Sequence, residues 1–336
     1  MKFRYFYALL CLILTVFTLN RSCHESVRNV YNPIPEIILP EGINHLLDNS
    51  NSELEETRQF ERIVERFMQQ WEITGASIAI MKDGKLLYSK GFGWADKEQG
   101  IRTDVRHIFR IASLSKLITA TGIMKLCEQG RLSLGDRVFG ADGILNDSLF
   151  RNIRDKRIEK ITVEHLLRHQ GGYSIRSGDP LFCSVSVAKQ LGIAPPVGFD
   201  DMVRYAAEPR LRYEPGSSNL YSNLGYVVLT KVIEKASGLP YESFIRDSIL
   251  SPAGCHDMHI GRWMRTTESD DWSRTGSLSG SSAMLKRQHD GYTWVFITNT
   301  SSWSGSRFPR KIAAMMKQAM GKIKKWPDRD LFSVEQ

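Results

Sequence analysis

Two stretches with strand character stand near opposite ends of the chain, and that separation constrains the fold more than any other feature. On one side, Ala76–Met81 and Lys85–Lys90 are apolar-rich runs either side of Lys82-Asp83-Gly84, the signature of a β-hairpin. On the other, Ser281–Arg287 and Tyr292–Asn299 flank a turn at Asp290-Gly291. Between them the pattern is helical. Ser115–Leu126 carries apolar residues at helical spacing and is closed by Gly130, and Asn223–Ala236 is closed by Gly238. A helix near Glu53 presents Phe60, Ile63, Val64, Phe67 and Trp71, and a C-terminal helix presents Ile312, Met316, Met320 and Ile323. The expected fold is α/β of the α+β type. A mainly antiparallel sheet is built from both chain ends and flanked by helices, with a mostly helical lobe inserted over about 115–260. A site in the cleft between sheet and lobe follows from that arrangement.

Composition narrows the function classes. With 42% hydrophobic and 10% aromatic residues in 336, the chain is ordinary globular material, with no internal repeats. The formal charge of +8 is scattered apart from Lys322, Lys324 and Lys325, and no zinc-finger, basic-zipper or RNA-binding aromatic signature accompanies it. A solvated basic surface explains the charge, and no nucleic-acid partner is expected.

The first residues form a targeting pattern. Lys2 and Arg4 precede an almost wholly apolar run from Tyr5 to Leu19, followed by polar residues from Asn20. The run is short for a spanning helix. Residues 1–23 therefore read as a secretory or lipoprotein signal with Cys23 as the candidate lipidated residue, and 24–52, with Pro33, Pro35 and Pro40, as a tether. Residues 53–336 form the folded body, and the expected location is the bacterial envelope, periplasmic or anchored. Cys127, Cys183 and Cys255 are widely spaced and odd in number, which gives neither a disulfide framework nor a metal pattern.

Three short motifs carry chemistry. The first is Ser113-Leu-Ser-Lys116, which opens an apolar helix; i and i+3 share a face there, so Lys116 can reach the Ser113 oxygen. The helix N-terminus also favours developing negative charge. A second Ser-x-x-Lys, Ser186 to Lys189, runs into Gly192, Pro195 and Pro196, so no long helix supports it, and it reads as surface. The second motif is Glu214-Pro215-Gly216 leading to Tyr221-Ser222-Asn223, a turn that delivers a tyrosine and an asparagine just before a helix. The third is Arg274-Thr275-Gly276-Ser277, a basic residue, a hydroxyl and a glycine before the C-terminal hairpin. Alone, each has a structural explanation.

Together and in this order they resemble the Ser-x-x-Lys, Tyr-x-Asn and Lys-Thr-Gly motifs of class C β-lactamases, DD-peptidases and related esterases, a set akin to the class A motifs. Gly75–Gly93, Phe109–Ser113, Thr162–His169 and Pro215–Tyr226 are similar to the same superfamily, over roughly residues 56–325. The resemblance implies a β-lactamase/transpeptidase-like fold, a Ser113 nucleophile that forms an acyl-enzyme, and a proton shared by Lys116 and Tyr221. Both side chains have solution pKa values near 10, so one must be perturbed, and either could be the base. It further implies that Asn223 bonds the substrate amide and that the backbone N–H groups of Ser113 and Ser277 form an oxyanion hole. Arg274 replaces the commoner lysine; a permanently charged, bidentate cation favours substrates with a free carboxylate, such as D-Ala-terminated peptides, opened β-lactams or peptidoglycan. His165 and His169, four apart, lack a third ligand or a His-Glu-x-x-His pattern; relatives carry structural histidines there, and neither metal nor cofactor is expected.

The pattern breaks once. Tyr221 and Arg274 are only 53 positions apart, fewer than in relatives, and His256–Arg262 runs directly into Trp263-Met-Arg265. An internal deletion after about residue 262 would truncate the helical lobe and remove part of the cleft wall. Two other functions stay open for that reason: an esterase on small acyl esters, and a catalytically impaired protein that binds peptidoglycan or β-lactam.

Overall fold

The computed structural model describes residues 47–150, 152–174, 178–195, 197–253, 255, 258, 272–278, 281–300 and 307–331. The expected signal, the lipidation site and most of the tether lie outside these residues, as does the 256–265 junction apart from Met258. Among the described residues, no helix is long and apolar enough to cross a membrane.

The sheet joins both ends of the chain. Strands β1 (Gly75–Lys82), β2 (Lys85–Asp96) and the two-residue β3 (Ile101–Arg102) come from the first hairpin region. Strands β4 (Trp272–Leu278), β5 (Ser281–Arg287) and β6 (Tyr292–Thr298) come from the last. Their order is β3-β2-β1-β6-β5-β4, with antiparallel pairing throughout. The β1–β6 ladder, from Ala76 opposite Thr298 to Lys82 opposite Tyr292, closes the fold.

Strand alternation gives the sheet two different faces. Ile78 and Ile80 of β1, Tyr88 of β2, Met284 of β5 and Trp294 and Phe296 of β6 enter one apolar cluster. Helices α1 (Arg58–Gln70) and α8 (Phe308–Met320) cover that face. Phe60 meets Tyr88 edge-on at 5.3 Å, and Phe67 stacks on Phe308 at 6.0 Å. On the other face Ala283, Leu285 and Ile297 pack with Ile111 and Leu114, beside Ser113. The one-residue offset between Met284 and Ala283 thus separates the structural face from the face that meets the site.

The folded body starts earlier than the sequence suggests. Residues 49–52, expected in the tether, form a 3-10 turn seated on β2. The Asn49 side chain accepts from Gly91 N and donates to the Gly91 and Thr103 carbonyls, and the Ser52 hydroxyl accepts from Ser89 N. Polar composition reads as linker, yet here the polar groups satisfy backbone at a strand edge.

The lobe that follows is helical. It contains α2 (Ser115–Glu128), α3 (Val163–Leu167), α4 (Ser184–Leu191), α5 (Phe199–Ala207), α6 (Asn223–Ser237) and α7 (Tyr241–Ile245). Helix α6 is its centre: Tyr226, Val227, Val228, Leu229, Val232 and Ile233 are all fully buried, as befits a helix surrounded by partners. Gly122 lets α2 approach closely, since a Cβ there would lie 2.7 Å from Ile245 Cδ1.

A charged clamp holds the chain on its way to α6. Arg157 grips Asp155 through Nε to Oδ1 (3.0 Å) and Nη2 to Oδ2 (2.6 Å). Leu211 N donates to Asp155 Oδ2, and Leu211 O accepts from Arg157 Nη2. The bond to Arg157 leads the contacts that hold the Asp155 carboxyl well below the usual carboxylate range. A depressed native pKa contributes stability above the unfolded value and loses it as pH falls. Asp155→Asn is expected to cost about 2 kcal/mol at pH 7. Thermal melts against pH should show the gap from wild type closing below about pH 4; a constant gap would sink this account.

Candidate active site

Ser113 sits in a turn that precedes helix α2. Leu114 N donates to Ile111 O and Ser115 N to Ala112 O, so tight i to i+3 bonds lead into the helix. The helix itself begins at Ser115, where the apolar spacing expects it. Ala112 is held at φ +46°, a left-handed conformation that costs a non-glycine residue about 1–3 kcal/mol. That strain sits directly against Ser113. The turn is fastened to the sheet by Ser281 Oγ, which donates to Arg110 O at 2.6 Å, and by Leu114 packing on Ala283.

Lys116 lies one turn on and is wholly buried. A lysine amine removed from water needs hydrogen-bond partners, and its Nζ has them: Tyr221 Oη at 2.7 Å, Asn223 Oδ1 at 2.6 Å and Ser113 Oγ at 3.4 Å. The rings of Tyr221 and Tyr226 lie 4.8 and 5.6 Å from the charge. Ser113 Oγ and Tyr221 Oη are 2.8 Å apart, which closes a triangle of the two hydroxyls and the amine. Tyr221 remains 39% exposed, so the hydroxyl pair faces the opening and the amine lies behind it.

The Tyr-x-Asn spacing has a local cause. Ser222 is extended at φ −138°, ψ 119°, and caps α6 by accepting from Gly225 N. Residues on either side of an extended residue point the same way, so Tyr221 and Asn223 both face Lys116. A ladder holds this segment: Arg212 N donates to Gly172 O, Gly216 N to Gln170 O and Leu220 N to His169 O. Gly216 turns at φ +83°, where a Cβ would lie 2.8 Å from His165 Nε2.

The histidines serve this ladder. His165 and Thr162 form a capping box at the start of α3. His169 accepts from Ser222 N through Nδ1, at 3.0 Å, and its ring lies 4.6 Å from Tyr221 and 5.2 Å from Tyr226. Their structural assignment came from the resemblance alone; the contact between His169 and Tyr221 has no sequence signal. Asp179 is a second residue the motifs did not reveal. Its Oδ2 accepts from Asn223 Nδ2 at 2.8 Å.

The structure thus brings Ser113, Lys116, Tyr221 and Asn223 together. Arg274, Thr275, Gly276 and Ser277 lie on β4, in register with Leu285, Met284, Ala283 and Ser282 of β5. Their backbone is one strand spacing, about 4.8 Å, from the strand that touches Leu114. Ser186 and Lys189 fall on the eight-residue helix α4, both exposed. Chemically, a hydroxyl paired with a second hydroxyl and a buried amine can lose its proton and attack a carbonyl. Tyr221→Phe keeps the ring against His169 and removes the central oxygen. Its expected effect is a fall of about 10²–10⁴ in the rate of acylation, with a melting temperature near wild type. Phosphonate labelling kinetics beside a thermal melt would check both; wild-type labelling would remove Tyr221 from the chemistry.

Comparison with known proteins bears on the family and the fold. The family model described as Beta-lactamase matches residues 60–324. Protein flp of Staphylococcus aureus (strain N315) is 30% identical over 232 residues, 68% of this chain and 43% of that protein. Penicillin-binding protein 4* of Bacillus subtilis (strain 168) is 29% identical over 205 residues, 60% of this chain and 41% of that one. The chain therefore spans less than half the length of these curated relatives. Among solved structures, the octameric penicillin-binding protein homologue from Pyrococcus abyssi aligns with TM-score 0.59 at 22% identity, covering 80% of this chain and 79% of that one. The D-amino acid amidase from Ochrobactrum anthropi SV3 aligns with TM-score 0.61 at 16% identity, covering 81% and 99%. At these identities the structural likeness speaks for the fold.

Proposed function

Because the chain belongs to the beta-lactamase family, we propose that it is a serine hydrolase that cleaves amides through an acyl-enzyme on Ser113. The observation that carries this reading is the hydrogen-bonded triangle of Ser113 Oγ, Tyr221 Oη and Lys116 Nζ. In acylation the Ser113 oxygen bonds to the substrate carbonyl carbon and its proton passes into the Tyr221–Lys116 pair. The pair returns that proton to the leaving nitrogen as the carbon–nitrogen bond breaks. In deacylation water supplies the nucleophile, the ester to Ser113 breaks and the serine recovers its proton.

Substrate preference is proposed from two sources. Relatives named as penicillin-binding proteins and a fold neighbour named as a D-amino acid amidase favour D-configured amides and peptidoglycan-like peptides. Arg274 on β4 would bind a substrate carboxylate, and the backbone amides of Ser113 and Ser277 would hold the oxyanion. The N-terminal pattern favours export to the cell envelope, with Cys23 as an anchoring site.

The deciding experiment is labelling of the protein with a fluorescent phosphonate and a fluorescent penicillin, beside Ser113→Ala. Labelling by both, lost in the variant, is the expected outcome. Phosphonate labelling alone would favour an esterase. A folded protein that takes neither label would overturn the assignment of Ser113.

A further inference from the structure

Asn223 is held between two charged groups, and those contacts fix its direction. Its Oδ1 accepts from Lys116 Nζ at 2.6 Å, and its Nδ2 donates to Asp179 Oδ2 at 2.8 Å. A flipped amide would set nitrogen against ammonium and oxygen against carboxylate, so both contacts would become repulsive. Asp179 is itself rigid. It precedes Pro180, its Oδ1 accepts from Leu181 N at 3.0 Å, and its carbonyl accepts from Phe182 N and Cys183 N. Among the described residues no lysine or arginine forms an ion pair with it. The half-buried carboxylate thus meets the buried amine of Lys116 through one amide.

We propose that Asp179 is a positioning residue that, through Asn223, fixes the direction of the amide facing Lys116 and holds Lys116 as an ammonium. The proposal rests on the Ser113 reading above and adds a supporting residue to it. An amide whose N–H is bonded to a carboxylate is a stronger acceptor at its oxygen, and the ammonium beside it gains a charge-assisted bond.

Other ionisable groups also lie around Lys116 among the described residues. Tyr221 and Tyr226 face it from the start of α6, and His169 lies behind both rings. Tyr241 bonds Thr119 further along α2, with its phenol pushed up to about 12 by burial.

Asp179→Asn isolates the charge, because asparagine supports the same turn. The retained oxygen can keep Leu181 N while an amide nitrogen faces Asn223, which weakens the hold on the ammonium by either route. The direct measurement is an NMR titration of ¹³Cε-labelled lysine in the full chain, with the Lys116 signal assigned from Lys116→Met. The Lys116 midpoint should fall by about one pH unit in Asp179→Asn and return toward wild type in Asp179→Glu. The alkaline limb of the phosphonate labelling rate should move down with it. A midpoint that stays or rises, or a labelling rate scaled equally at every pH, would make Asp179 a turn residue only. The titration needs no turnover, so it tests Asp179 even where labelling of Ser113→Ala contradicts the nucleophile.

Discussion

A lysine with no exposure to water sets the terms for everything around it. The amine of Lys116 can remain buried only where oxygen atoms replace its hydration. The fold supplies them from Ser113 on its own turn and from Tyr221 and Asn223, more than a hundred residues away. Those distant groups must then be held to within fractions of an ångström. The His169 turn, the cap at Ser222, the ladder along 169–172 and the Asp155–Arg157 clamp all serve that end.

The sheet makes the second contribution. Both chain ends must meet for β1 to pair with β6, and that ladder fixes β5 beside the Ser113 turn. Alternation along β5 sends Met284 to the core under α1 and α8 and Ala283 to Leu114. Ala283 is buried in the apolar cluster with Leu114. The strained Ala112 and the Ser281 bond to Arg110 lie at the same junction, where lobe and sheet touch.

Local features read well from sequence because their causes are local. Asp83-Gly84 and Asp290-Gly291 mark the two hairpins, and the apolar spacing of 115–126 and 223–236 marks helices α2 and α6. Ser113 and Lys116 share one turn, so their proximity is legible in four residues. The start of the body was less legible: Asn49 and Ser52 are polar in composition, yet their side chains satisfy β2. The role of His169 was equally hidden, because it depends on a left-handed turn meeting Ser222 across 53 residues.

The sequence by itself determined which side chains are present, that strands bracket a helical lobe, and that Tyr221 and Asn223 flank a helix start on one side. Those properties follow from backbone periodicity and capping, which act over a few residues. Tertiary structure decided that the two motifs converge on a single buried amine. It also decided that the amide between Lys116 and Asp179 has only one favourable direction. Convergence over such separations is governed by burial and by the cost of an unpaired charge, and no short stretch of sequence records either.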